Sequence, residues 1–293
     1  MARAFGGPWT EDKLEIVERY LEAYMTIMRG NEKARRFTTT YVDAFAGPGL
    51  RQIATSAGEP GLFDGQDDGE ITEFYRGSAY RAMSISLPFD RYVFVDSDRT
   101  ALEELKQLIR ERFSDLKATV HLGDANEVLP RWVKTLSPFD RAVVFLDPYA
   151  MQVEWNTIEV LSEAKGLDLW LLVPIGALMR LLPHEPPPSA WVRRLDRFFG
   201  SHEWYDRVYM HQSHNTLFGP EENVERLASP GRLAEYMLER LSGPFKFVLK
   251  TPYLLYNSKG ACLFMLCFAA TNKKGGELAV KIAGDIAGKH RHG

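Results

Sequence analysis

Four short apolar runs, each delivering an acid to its carboxyl end, constrain the fold of this chain more than any other feature. "TTTYVDAFAGPG" carries Asp43, "RYVFVDSD" carries Asp96, "ATVHLGDANE" carries Asp124 and "RAVVFLDPYA" carries Asp147. The runs are near-continuous rather than alternating, as strands buried on both faces must be. Amphipathic stretches such as "TALEELKQLIRERF" separate them, and "LDLWLLVPI" adds a fifth run. Apolar strands alternating with helices predict a parallel sheet covered on both faces, with ligands bound beyond the carboxyl ends of the strands. The expected strands are 39–45, 91–98, 118–127, 141–150 and 167–175. The expected helices include 128–136, 154–165 and an N-terminal one capped by Thr10 and ended by Gly30.

The glycine turn Gly47-Pro48-Gly49 follows the first strand, and a loop-like stretch over 51–72 separates it from "GSAYRAMSI", the helix expected next. A loop this long in a compact domain is usually functional or disordered. A pyrophosphate site needs a helix N-terminus immediately after its glycines, and Gln52 stands where a third glycine is needed, so a cofactor without phosphates fits better. Residues 177–243 change character: "LPHEPPPSA" breaks any helix, and two helical stretches rich in Trp, Tyr, Phe and Arg follow. The expected organisation is a main domain, 1–176 plus 244–293, with an inserted helical substrate subdomain, 177–243. "FKFVLKTPYLLYNSKGACLFMLCFAAT" reads as two strands joined through "NSKG". A βα array closing on an antiparallel pair is the pattern of the Rossmann-like, seven-stranded methyltransferase sheet.

Net charge is −3 over 293 residues, so global basicity does not advertise nucleic acid, although a local basic patch stays possible. No apolar run is long enough to span a bilayer and the N-terminus lacks a secretory apolar segment. Cys262 and Cys267 are five apart, which on a regular strand puts them on opposite faces, away from a disulfide. A reducing cytoplasm is the expected location. His211-x-x-His214 and His290-x-His292 lack the neighbouring ligands of a metal site, and none is expected.

"VDAFAGPG" resembles motif I of S-adenosylmethionine (SAM)-dependent methyltransferases. That resemblance implies cofactor contacts from Asp43, Phe45, Gly47 and Gly49. Asp96 is placed to accept both ribose hydroxyls, with Asp98 as competitor; either would otherwise cap the next helix. Asp124 and the Ala125 N–H occupy the position where methyltransferases commonly hold adenine, with a helix cap as the alternative. Asp147-Pro148-Tyr149 resembles the D-P-P-Y motif of amino-methyltransferases, with one proline and the aromatic third, and is closer to the D-P-F-G form of tRNA guanine-N2 methyltransferases. The chemistry suits an exocyclic amine, whose lone pair is delocalised into its ring. Asp147 and the Pro148 carbonyl would accept its two N–H groups, and Tyr149 would stack on the base.

Taken together, "PWTEDKLEIVERYLEAY", "YVDAFAGPG", "FVDSD", "GDAN", "FLDPYA" and "RFFGSHEWYD" resemble the three-Cys-motif partner proteins over roughly residues 8–270. This implies a class I SAM-dependent methyltransferase fold and a possible protein partner with a three-cysteine motif. The expected function is N-methylation of a nucleobase amine in RNA or DNA. The alternatives are methylation of a small molecule, or SAM binding by a non-catalytic partner of a radical-SAM-like enzyme. Arg180, Trp191, Arg193, Arg194 and Arg197 in the insertion, and Lys273, Lys274, Lys281, Lys289 and Arg291 near the C-terminus, either contact such a substrate or form solvated faces.

Overall fold

A computed structural model describes residues 8–53, 73–216 and 219–290. In chain order the elements are α1 (Pro8–Gly30), β1 (Thr38–Asp43), β2 (Leu50–Ile53), β3 (Glu73–Arg76), α2 (Ser78–Ser84), β4 (Arg91–Asp96), α3 (Arg99–Arg112) and β5 (Ala118–Leu122). Next come α4 (Ala125–Val133), β6 (Asp140–Leu146), α5 (Trp155–Ser162), β7 (Leu167–Val173), α6 (Ile175–Arg180), α7 (Ser189–Phe199) and α8 (Trp204–Val208). The chain closes with β8 (Tyr209–Thr216), β9 (Gly219–Arg226), α9 (Pro230–Leu241), β10 (Phe247–Val248), β11 (Tyr253–Tyr256), β12 (Cys262–Ala270) and α10 (Gly276–Lys289).

The main sheet runs β10-β12-β7-β6-β1-β4-β5, with β1, β4, β5, β6 and β7 mutually parallel. β12 is antiparallel to β7 and to β10, so six strands point one way and the last long strand is slotted in against them. This is the strand order of the methyltransferase sheet. Its outer edge is one strand in two pieces. Leu249 N–H still donates to the Phe268 carbonyl at 2.9 Å, and pairing resumes at Tyr253↔Leu266, so Lys250-Thr251-Pro252 bulge where a proline cannot donate to the ladder.

Residue parity explains why the sheet is apolar on both sides. Val42, Val93, Val144, Leu169 and Cys267 face one core, shared with α4, α5, α7 and α9. Tyr41, Tyr92, Val143, Trp170 and Phe268 face the other, shared with α1, α2, α3 and α10. The buried residues of the 177–243 insertion, such as Leu195, Phe198, Trp204, Leu233 and Met237, belong to the first of these cores and not to one of their own.

Several expectations need correction. The insertion is not purely helical, because β8 and β9 form an antiparallel hairpin between α8 and α9. The 51–72 stretch is framed by a β2–β3 ribbon, and residues 54–72 lie outside the described residues. Thr10 lies inside α1 and is not its cap. The strand ends shorten because Asp96, Asp98 and Asp124 turn the chain into helices. Cys262 and Cys267 pack against the same core. An irregularity in the β11–β12 register, where Leu255↔Phe264 is followed by Tyr256↔Cys262, shifts the parity of the strand. The side chains of His211, His214 and His292 lie outside the described residues.

Candidate active site

The order of strands reverses at β1, between β4 on one side and β6 on the other, and the crevice at such a switch point is where open α/β sheets bind ligands. All four strand-end acids lie along this edge.

Asp43 is fully buried. It accepts from Phe45 N–H at 3.2 Å and from the Tyr41 hydroxyl at 3.3 Å, and Ser78 also hydrogen-bonds to it. Burial pushes its carboxyl up to about 7, opposed by the Ser78 and Phe45 hydrogen bonds and reinforced by the nearby Asp147 charge. Asp43 therefore pins the start of the glycine turn to the start of α2. Gly47 and Gly49 both have positive φ, 57° and 77°, which favours glycine at both. A side chain at Gly49 would strike Leu108 at 2.8 Å and Leu105 at 3.0 Å, so that glycine makes room for α3.

Gly77 N–H donates to the Gly49 carbonyl at 2.7 Å. A Cβ at Gly77 would lie 2.9 Å from that oxygen. The start of α2 thus sits directly on the glycine turn, although 27 residues lie between Gly49 and Gly77 in sequence. The helix N-terminus therefore does meet the glycines, and the insertion between them in sequence does not speak against a phosphate-bearing cofactor: distance in sequence is not distance in space. The antiparallel β12 is what separates this sheet from a dinucleotide fold.

Asp96, half-buried at the end of β4, accepts Gly47 N–H on Oδ2 at 2.8 Å and Asp98 N–H on Oδ1 at 2.9 Å. Two backbone donors fix the carboxylate while leaving lone pairs on both oxygens. Asp98 caps α3, accepting from Thr100 and Ala101 N–H. Asp124 caps α4, taking Asn126 N–H at 2.8 Å and Asn126 Nδ2 at 2.9 Å, both on Oδ1. Its Oδ2 has no partner among the described residues.

Phe45, Ser97, Asp124 and Ala125 line a cleft of about 500 Å³. Across it lie Gln152 and the Arg193, Arg194 and Arg197 face of α7. Asn126, which sequence reasoning passed over, ties the floor together. Its Oδ1 accepts from Glu154 N–H at 2.9 Å and from the Thr157 hydroxyl at 2.8 Å, and its Nδ2 donates to the Gln152 carbonyl at 2.7 Å.

Asp147 does not line this cleft. Both its oxygens accept from Lys13 Nζ on α1, at 2.7 and 2.5 Å. Lys13 is only 5% exposed, and its ammonium lies 5.4 Å from the Trp9 ring. Pro148 is buried and Tyr149 is 65% exposed, with its N–H donating to Gln152 Oε1 at 2.8 Å. Lys13 escaped sequence reasoning, yet a signal existed. It lies on the stripe Lys13, Ile16, Val17, Tyr20, whose other members are all buried.

No family model and no curated protein matches the chain. Among solved structures, a Legionella pneumophila protein of family DUF519 is similar at 12% identity and a TM-score of 0.49, over 95% of this chain and 91% of that one. A SAM-dependent methyltransferase from Clostridium acetobutylicum is similar at 12% identity and 0.37, over 88% and 92%. An O-methyltransferase from Bacillus cereus, in complex with SAH, is similar at 11% and 0.38, over 76% and 82%. None of these reaches a TM-score of 0.5, and the fold assignment rests on the strand order.

Proposed function

We propose that this chain is a SAM-dependent methyltransferase acting on an exocyclic amine of a nucleobase in RNA or DNA. The observation that carries it is the methyltransferase strand order with ordered carboxylates along its carboxyl edge. The donor set fits the cofactor's polar groups. Asp96 keeps lone pairs on both oxygens for a ribose diol, and the Asp124 Oδ2 without a protein partner suits an adenine amine. When bound, SAM supplies an electrophilic methyl group on a sulfonium. Phe45 and Ala125 line the apolar side of the same cleft.

Asp147, Pro148 and Tyr149 would hold the acceptor. A carboxylate offers about four lone-pair sites, so the Lys13 contacts leave room for one amine N–H on Asp147, with the second on the Pro148 carbonyl. Held by the Lys13 ammonium, the Asp147 carboxyl stands where the nitrogen becomes positive, the kind of preorganised stabilisation that is worth about 3–4 kcal/mol. Tyr149 presents an exposed ring for a base. The Lys13–Asp147 pair also favours a second reading, in which Asp147 is structural and the chain binds SAM as the partner of a three-cysteine-motif protein.

Radiolabelled methyl transfer to total RNA and to DNA, measured alongside calorimetric SAM binding, separates the two. Asp147→Asn should slow transfer roughly 10²–10³-fold with SAM affinity little changed. Tyr149→Ala should weaken substrate binding by about 1–3 kcal/mol. Tight SAM binding with no transfer to any nucleic acid would favour the partner reading, and NAD binding without SAM binding would remove both.

A further inference from the structure

We infer that the arginine face of α7 is a phosphate-binding track that holds the backbone of a nucleic acid strand across the cleft. This rests on the methyltransferase reading and specifies its substrate. Ala190, Arg193, Arg194 and Arg197 all line the cleft, and their spacing of three, four and seven puts them on one side of the helix. The opposite side, Leu195 and Phe199, is buried in the core. The polar face of α7 is therefore turned over the cleft by the packing of its apolar face, and three guanidinium groups come with it.

These charges are not neutralised where they stand. Among the described residues, Arg193 and Arg194 make no ion pair, and Arg197 reaches only Glu154, at 3.6 Å. The one acid within α7, Asp196, accepts from Trp204 Nε1 at 2.7 Å and lies 2.8 Å from His202 Nδ1. The other acid of the cleft wall, Asp124, caps α4 through Oδ1 and makes no ion pair with these arginines among the described residues, and two carboxylates do not balance three guanidinium groups. An unbalanced cationic cluster in a chain of net charge −3 calls for an anion. SAM is not that anion. Its ammonium and sulfonium outweigh its carboxylate, so its net positive charge leaves the three arginines unbalanced. The remaining ligand is the substrate. Planar guanidinium forks suit phosphodiester oxygens, and neighbouring arginines on a helix can follow successive phosphates.

The test is fluorescence anisotropy with a short, labelled, single-stranded RNA of mixed sequence, titrated between about 50 and 200 mM KCl. Each phosphate contact to a single strand contributes about 0.7 to the slope of log Kd against log salt. Arg193→Ala/Arg194→Ala should lower that slope by about 1.4 and weaken binding on the order of tenfold at the lower salt. Arg193→Lys/Arg194→Lys should restore most of the slope. Lys273→Ala/Lys274→Ala, which removes the same charge from an exposed site outside the cleft lining, should leave it unchanged. Calorimetric binding of S-adenosylhomocysteine should be the same in all four proteins, which separates this proposal from the cofactor assignment. An unaltered slope in the alanine variant, an equal loss in the Lys273/Lys274 variant, or no RNA binding by the wild type would overturn the proposal. So would Arg-dependent binding of a small phosphorylated nucleotide in place of RNA.

Discussion

Asp43, fully buried, and Asp147, clamped by Lys13, end neighbouring strands at the switch point, whereas Asp96, half-buried, and Asp124, exposed, end the next two strands. In sequence the four look alike, an acid closing an apolar run. In the structure they divide by what supplies their hydrogen bonds. The outer pair is held by backbone N–H groups of the glycine turn and of helix starts and keeps acceptor capacity on both residues. The inner pair is satisfied from within the protein, Asp147 by a lysine and Asp43 by two hydroxyls and one N–H. The outer carboxylates are thus free to meet a ligand at little cost in folding. The inner ones are tied to partners within the fold, and any chemistry they perform is built on a structural role.

The strongest way to break this contrast is to remove the cation. Lys13→Met keeps the length of the side chain and leaves the partly buried Asp147 without its cation. Losing one partner of a buried ion pair costs about 3–5 kcal/mol, and with Asp147 21% exposed in its side chain the lower end applies. Urea unfolding should show the loss, and Lys13→Met/Asp147→Asn should recover most of it. Stability within about 0.5 kcal/mol of wild type in the single variant would mean that the inner pair is no more structural than the outer one.

A proton titration sharpens the contrast next. The unfolded chain loses the Asp43 proton near pH 4, but burial makes the folded chain hold it up to about 7. Between those values the folded state binds more protons, so this group makes stability fall as pH rises; below pH 4 both states are protonated and the effect vanishes. Asp168, buried and accepting from the Tyr20 hydroxyl at 2.6 Å, is also raised to about 7 and acts in the same direction. Asp43→Asn should remove its own share, up to about 1.4 kcal/mol per pH unit, and leave that of Asp168. The pH dependence of the urea midpoint should therefore flatten by about half. An unchanged profile would mean that Asp43 ionises as an ordinary exposed carboxylate.

The same contrast marks what could be read from the residues alone. β1, β4, β6 and β7 and their helices were legible because burial on both faces forces near-continuous apolar runs; β5, half-exposed at the sheet edge, was legible from its place in the βα alternation, and α2 was legible despite its displacement. The β8–β9 hairpin was not, since "YMHQSHNT" and "GPEENVER" are polar and show no alternation. Pairing between the two strands creates it. The capping carboxylates were legible because a cap is local, two or three residues from its donor. Lys13–Asp147 spans 134 positions, and only the tertiary fold brings the two together. The arginines of α7 were visible as a polar face, but which way that face turns depends on the core beneath it.

The smallest expected effect separates two jobs held by one outer carboxylate. Asp124 spends Oδ1 on capping α4, and its Oδ2 is the atom proposed to accept from the adenine amine. Asn caps a helix as well as Asp does, so Asp124→Asn can retain the Oδ1 contacts and leave stability near the wild-type value. Its amide nitrogen then stands where Oδ2 was and can only donate, which opposes an amine. Turning the amide over would restore the acceptor but give up the cap, so the variant cannot serve both. SAM affinity should fall by about 1 kcal/mol, or severalfold, at unchanged thermal stability. Asp124→Ala should lose both, with about 1 kcal/mol of stability gone as the cap is removed. Asp98→Ala, a cap with no proposed ligand, should lose stability alone. If Asp124→Asn binds SAM as the wild type does while Asp124→Ala is destabilised, the outer carboxylate on β5 is a cap and nothing more, and the adenine amine must find its acceptor elsewhere in the cleft.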